Sequence, residues 1–401
     1  MKIEIKPSTL CGEIIAPPSK SIAHRFLICG ALSRGECRIN GVSESDDMKA
    51  TLSCLSALGA SVKRDGNSVV IYGGLNAKKE VVLDCIESGS TLRFMIPIAL
   101  ASGANKAVFK GSERLIARGV EVYEEVFANK DVRIEKGKNE IVVSGTLESG
   151  NYVLRGDVSS QYVTGLLLAL ATLDSDSTIE ILPPVESRPY IDMTIAVLEK
   201  FGVKIEETEK NKFFVKGGQR FASGAYDVEG DWSNGAILLA LNAFGSNVAV
   251  SGLDENSVQG DKVCVEIFRA LEKGNATIDL SDCPDLAPIA LVVAAEKNGA
   301  TFTGTERLKI KESDRAVVMA EELAKFGARV DVFDDCVVVH KAKLHAPSKE
   351  ICSHNDHRIA MSLAVLMTKY GGVIDGAEAV KKSFPDFFDV LKRAGAKVYE
   401  I

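Results

Sequence analysis

Apolar positions along this chain follow two rhythms. Short stretches such as Val69-Val70-Ile71-Tyr72 and Glu140-Ile141-Val142-Val143, and the alternating Lys2-Ile3-Glu4-Ile5, have the length and period of strands. Elsewhere the period is helical: Ala316, Met319, Ala320 and Leu323 fall at i, i+3, i+4 and i+7 and predict one apolar helix face. Four helical stretches run into Leu58-Gly59, Phe201-Gly202, Phe326-Gly327 and Ala394-Gly395, each followed at once by a strand pattern. Glycine there predicts a left-handed residue closing the helix.

A second kind of helix opens on a small or polar residue and continues as a nearly unbroken apolar run. Six such openings occur, at Ser19-Lys20-Ser21, Ser88-Gly89-Ser90, Ser159-Ser160-Gln161, Ser233-Asn234-Gly235, Pro284-Asp285-Leu286 and Asn355-Asp356-His357, spaced 69, 71, 74, 51 and 71 residues apart. The regularity predicts six α/β units of about 65–70 residues whose faces need neighbours for burial, three per domain. Two turn-rich segments, 16–19 and 229–231, each precede a repeat helix and are the candidate crossings between domains. The expected division is 17–229 for one domain and 1–16 with 230–401 for the other.

Composition narrows the class. With 401 residues, 46% apolar and 26% charged, the chain is an ordinary globular one of two or three domains. Its longest apolar runs, such as 286–295 around Pro288, fall well short of the ~20 residues a bilayer needs. The first residues lack the apolar core of a signal peptide, so a cytoplasmic protein is expected. A net charge of −7 argues against nucleic-acid binding. The nine cysteines include no C-x-x-C pair, and His354 and His357 have no third ligand beside them, so neither a redox pair nor a metal is expected. Walker A and G-x-S-x-G patterns are absent.

Against that acidic background, basic and hydroxyl side chains collect where helices begin. Lys20, Ser21 and Arg25 lie on the first repeat helix, Ser159, Ser160 and Gln161 on the third, and His357 and Arg358 on the sixth. A helix opened by Lys311-Glu312-Ser313-Asp314-Arg315 adds more, with Arg118 and Lys382. Helix N-termini already favour anions through their unpaired N–H groups and the macrodipole. The set predicts a pocket for a multiply charged anion. Two acids stand out within it, Asp285 and Glu312. Paired carboxylates suit proton transfer, one as acid and one as base. Spacing alone leaves equally open a helix cap for Asp285 and helix-dipole stabilisation for Glu312.

Seven motifs, in order along the whole chain, resemble the 5-enolpyruvylshikimate-3-phosphate synthases. They are Pro18-Ser-Lys-Ser-Ile-Ala-His-Arg25, Gly156-Asp-Val-Ser-Ser-Gln161, Ser187-Arg-Pro-Tyr190, Pro284-Asp285, Lys311-Glu-Ser-Asp-Arg315, Asn355-Asp-His-Arg358 and Lys382-Ser-Phe-Pro385. The resemblance implies an α/β (α+β) fold of two globular domains, each of three βαβαββ-type units, an inside-out α/β barrel, joined by two crossing segments. It implies transfer of the enolpyruvyl group of phosphoenolpyruvate to the 5-hydroxyl of shikimate 3-phosphate, by addition and elimination through a tetrahedral intermediate, in aromatic amino-acid biosynthesis. Closing the two lobes would exclude water and align hydroxyl with enol carbon. A cytoplasmic monomer with no metal and no organic cofactor is implied, acting on small-molecule substrates.

Carried over by position, Lys20, Ser21, Arg25, Ser159, Ser160, Gln161, Ser187, Asp285 and Lys311 would hold shikimate 3-phosphate. Lys20, Gly89, Arg118, Gln161, Arg315, Arg358 and Lys382 would hold phosphoenolpyruvate. Asp285 and Glu312, with Lys20, would be catalytic: Asp285 takes the 5-hydroxyl proton, while Glu312 protonates the methylene carbon and later deprotonates the resulting methyl group.

Three positions depart from the resembling pattern. Glu87-Ser88-Gly89-Ser90 stands where Asn-Ala-Gly-Thr is common, Arg118-Gly119 replaces a frequent Arg-Pro pair, and Arg307 stands where some members have an asparagine. A rival with the same fold and donor, UDP-N-acetylglucosamine enolpyruvyl transferase, usually carries a reactive cysteine before the arginine at 118, and Gly111–Arg118 has none. A non-enzymatic anion-binding protein on the same scaffold would not require both Asp285 and Glu312.

Overall fold

The computed structural model describes all residues, Met1–Ile401, and divides them into two compact units: Pro18–Glu229, and Met1–Pro17 with Gly230–Ile401. In each unit three helices carry almost no exposed side chain; five of the six begin at a polar cap, and the sixth, Ala287–Glu296, follows directly on the 3-10 turn Pro284–Leu286. In Pro18–Glu229 these are Lys20–Leu32, Gly89–Ala101 and Ser160–Leu170; in the other unit Trp232–Ala240, Ala287–Glu296 and His357–Tyr370. Such helices are apolar all round because they are buried all round. Each unit has its own hydrophobic cluster built on its own three. The helices Asp46–Ala57, Arg188–Lys200, Cys264–Lys273 and Arg315–Ala324 bury only one face.

Around these helices lie five four-stranded sheets of one design. Glu80–Asp84 pairs parallel with Lys106–Lys110, which pairs antiparallel with Glu140–Gly145, itself antiparallel to Val132–Lys136. Gly224–Asp227 and Asn151–Arg155 open two further sheets of this order in the same unit, and Ala276–Asp279 and Ile351–Cys352 open two in the other. The sixth sheet is only a parallel pair, Cys11–Ile15 with Asn247–Ser251. It belongs to the segment whose helix openings are 51 residues apart, too short for the usual antiparallel hairpin. Strands and repeats are as the resemblance implies, but the sheets stay separate and none closes into a barrel.

The first sheet of Pro18–Glu229 is completed by its last strand, Gly224–Asp227. In the other unit Lys2–Lys6 sits between Gly372–Asp375 and Lys397–Glu400. The expected terminal glycines are left-handed: Gly59, Gly202, Gly327 and Gly395 have φ of +107°, +77°, +88° and +105°. Several helix starts move. Asp231, not Ser233, caps the helix Trp232–Ala240 by accepting from Asn234 N–H. The helix expected from Lys311 begins at Arg315, because the Asp314 carboxylate accepts from Val317 N–H and Ser313 Oγ is turned onto Asp356.

Candidate active site

In the unit containing Gly230–Ile401, three polar segments meet on one guanidinium. Arg315 is the first residue of its helix and only 1% exposed. Its Nε donates to Asp356 Oδ2 at 2.9 Å, Nη1 to Asp285 Oδ1 at 2.8 Å and Nη2 to Glu312 Oε2 at 2.9 Å. Burying so many charges is tolerable only when each is paired and hydrogen-bonded, and a planar guanidinium does this for several carboxylates at once. Asp356 also caps the helix His357–Tyr370, accepting from Arg358 N–H at 2.8 Å.

Asp285 lies in the 3-10 turn Pro284–Leu286, two residues ahead of the helix Ala287–Glu296, and its carboxylate faces cations rather than a helix end. Besides Arg315 it has Arg358 Nη2 at 3.6 Å and Lys311 Nζ at 3.9 Å. Burial opposes ionisation of Asp285, but Arg315, Lys311 and Arg358 together outweigh it and hold the carboxyl well below the usual range. Glu312 is in the loop before its helix, so its expected place in a first helical turn is corrected. Burial pushes the Lys311 ammonium down to about 8, against the pull of Asp285 and with help from Arg307. Arg358 Nη1 reaches Asn234 Oδ1 at 3.3 Å, and Lys382 Nζ donates to Asn355 O at 2.6 Å. Beside this cluster, burial and then Asp285 push the Asp261 carboxyl up to about 7, partly offset by the Ser233 hydroxyl that donates to it.

Within Pro18–Glu229 a second set gathers. Ser19, Ser88 and Ser159 cap the three buried helices, with their hydroxyls accepting from N–H groups of the first turn. Lys20 pairs with Asp47 at 2.8 Å, both largely covered. Gln161 donates to Ser90 Oγ at 3.0 Å and accepts from Arg93 Nη1 at 2.9 Å. A Cβ placed on Gly89 would stand 2.9 Å from Arg93 Nη1 and 3.1 Å from Arg118 Nη1. Glycine therefore lets two guanidinium groups approach the helix start. Arg93 belongs to none of the sequence motifs; its isolation in the apolar run of Gly89–Ala101 is the one signal that marks it.

Arg25, only 2% exposed, links three helices. It donates to Ser21 O, Thr164 Oγ1, Thr194 Oγ1 and Tyr190 O. Burial pushes it down to about 10, still a cation at neutral pH. Ser160 and Ser187 are buried, and Ser187 precedes the helix Arg188–Lys200 with φ +56°. Arg118 and Lys382, expected among helix starts, end theirs instead: the helix Glu113–Ala117 and the 3-10 turn Ala377–Lys382. Two departures acquire reasons. Gly119 has φ +68°, which proline cannot reach. Arg307 donates to Ser281 O at 2.6 Å and adds a charge that depresses Lys311. No three His, Cys, Asp or Glu side chains are grouped to hold a metal, and no helix is long and apolar enough to cross a membrane.

The family model described as EPSP synthase (3-phosphoshikimate 1-carboxyvinyltransferase) matches residues 5–391. The chain belongs to the EPSP synthase family. A relative named 3-phosphoshikimate 1-carboxyvinyltransferase, from Clostridium kluyveri, is 39% identical over 99% of this chain and 98% of its own length. One of the same name from Clostridium acetobutylicum is 40% identical, with the same shares covered. A solved EPSP synthase from Acinetobacter baumannii superposes with a TM-score of 0.80 at 25% identity, covering 100% of both chains. The resemblance read from seven short motifs is thus a family membership across the chain. It makes this protein a transferase of the shikimate pathway rather than a mere anion-binding scaffold.

Proposed function

We propose that this member of the EPSP synthase family, a cytoplasmic monomer using no metal or organic cofactor, moves the enolpyruvyl group of phosphoenolpyruvate onto the 5-hydroxyl of shikimate 3-phosphate and releases phosphate. The observation that carries the reading is Arg315, which holds Asp285 and Glu312 on adjacent nitrogens while Lys311 and Arg358 flank Asp285. Two carboxylates of different surroundings on one cation can divide proton work between them.

In addition, Glu312 delivers a proton to the methylene carbon, the 5-oxygen bonds to the neighbouring carbon, and the 5-hydroxyl proton passes to Asp285. A carboxylate held below the usual range suffices there, because the attacking hydroxyl becomes strongly acidic as the new bond forms. In elimination, Glu312 takes a proton from the new methyl group while the carbon–phosphate oxygen bond breaks, and the proton held on Asp285 leaves with the phosphate, which restores both carboxyl groups. Fixed cations stabilise the charge that shifts between carboxylate and departing phosphate.

Lys20, Ser21, Arg25, Ser159, Ser160, Gln161, Ser187, Asp285 and Lys311 are assigned to shikimate 3-phosphate. Arg25 has four of its five N–H donors engaged, leaving one on Nη1 together with its charge. Lys20, Gly89, Arg118, Gln161, Arg315, Arg358 and Lys382 are assigned to phosphoenolpyruvate, whose carboxylate and phosphate suit bidentate guanidinium groups. The assignment draws on residues of both units. Phosphate release from phosphoenolpyruvate tests it with two acceptors. Turnover with shikimate 3-phosphate and none with UDP-N-acetylglucosamine is expected; the reverse preference would overturn the reading.

A further inference from the structure

The last turn before the helix His357–Tyr370 is held in an unfavourable shape. His354 and Asn355 have φ of +50° and +54°, two consecutive residues with side chains in the left-handed region. Asparagine visits that region readily; histidine does so at greater cost. This turn presents the Asn355 carbonyl to Lys382 and is followed directly by Asp356, which caps the helix and grips Arg315, and by Arg358.

One buried carboxylate outside the cluster around Asp285 secures the turn. Glu322, on the helix Arg315–Ala324, is 2% exposed. Its Oε1 receives His354 Nε2 at 2.9 Å and its Oε2 the Cys352 N–H at 3.1 Å, while Lys325 Nζ bonds both oxygens at 2.8 and 2.7 Å. Because a carboxylate only accepts here, Nε2 is the protonated nitrogen of His354. Lys325 Nζ also donates to Glu350 O at 3.0 Å, so the segment is held through two backbone groups, Glu350 O and Cys352 N–H, and through the His354 ring. No motif named in the sequence includes Glu322 or Lys325.

We propose that Glu322 is a positioning residue for phosphoenolpyruvate: by holding His354 and Cys352 it keeps the left-handed turn that aims Lys382, Asp356 and Arg358. This rests on the assignment of Arg315, Arg358 and Lys382 to phosphoenolpyruvate. Glu322→Gln keeps the volume but removes the charge that Lys325 pairs with, and its amide N–H₂ can meet His354 only through the other ring tautomer, so the grip on the turn is weakened. The turn then relaxes, and groups several residues away lose their alignment.

The experiment measures both Michaelis constants, kcat and the denaturation midpoint for wild type, Glu322→Gln, the double variant Glu322→Gln with His354→Gly, and Lys382→Met. Glu322→Gln is expected to raise KM for phosphoenolpyruvate roughly tenfold, leaving KM for shikimate 3-phosphate within about twofold. Glycine at 354 removes the cost of the left-handed conformation, so the double variant is expected to recover most of that loss. A general loosening of the fold would instead move both Michaelis constants with the midpoint and would not be rescued by glycine. That pattern, or an unchanged KM for phosphoenolpyruvate in Glu322→Gln beside a raised one in Lys382→Met, overturns the proposal. An unchanged KM in Lys382→Met overturns the substrate assignment itself and, with it, the role given to Glu322.

Discussion

Lys311 is poised by its surroundings: burial pushes the ammonium down to about 8, Asp285 pulls it back, and Arg307 pushes it down further. Below that value Lys311 is a cation able to hold an anion; above it, the group is neutral. If it binds shikimate 3-phosphate, kcat/KM for that substrate, which reports the free enzyme, falls as pH rises through about 8. Lys311→Arg keeps its charge throughout this range and should lack the fall. A pH profile with the same descending limb in the arginine variant would take Lys311 out of binding. Residues of this kind are legible as types within short motifs. Their partnerships are not, because they depend on which loops fold together. Asp356 stands in one of the motifs, yet nothing in its spacing ties it to Arg315 across 41 residues. A lone arginine in an apolar helix marks Arg93 as unusual, yet gives no hint of the carbonyls and glutamine it meets inside.

Helix starts carry much of the polar machinery, and most can be read directly. A serine ahead of a long apolar run marks the caps at Ser19, Ser88 and Ser159, since its hydroxyl relieves N–H groups that buried helices cannot give to water. The start at Arg315 is harder. Both Ser313 and Asp314 are good cap residues, and the choice is settled by Asp356, which engages the Ser313 hydroxyl. That choice leaves Glu312 in a loop, where it can reach Arg315. Asp314→Ala removes the cap and should lower the stability of this helix by about 1 kcal/mol, measured as a lower urea midpoint. An unchanged midpoint would show that the tertiary grip on Arg315, not the cap, sets where the helix begins.

At the level of the whole chain, the repeat is the most legible feature, because six nearly apolar helices can exist only if other parts of the same protein enclose them. The 51-residue interval already contains the exception, and the two-stranded sheet is its structural expression. Unreadable from the pattern is how strands from distant segments complete a sheet, as Lys2–Lys6 does between Gly372–Asp375 and Lys397–Glu400. Such pairing carries no local signal. The function drawn from this architecture depends on Glu312 exchanging protons with the methylene carbon of phosphoenolpyruvate. Turnover in deuterium oxide, followed by NMR of the product, examines that step. Wild type should place solvent deuterium on the enolpyruvyl methylene. Glu312→Gln should lose incorporation and turnover together, by roughly a hundredfold or more, while still binding phosphoenolpyruvate. Incorporation at the wild-type rate in Glu312→Gln would contradict the mechanism.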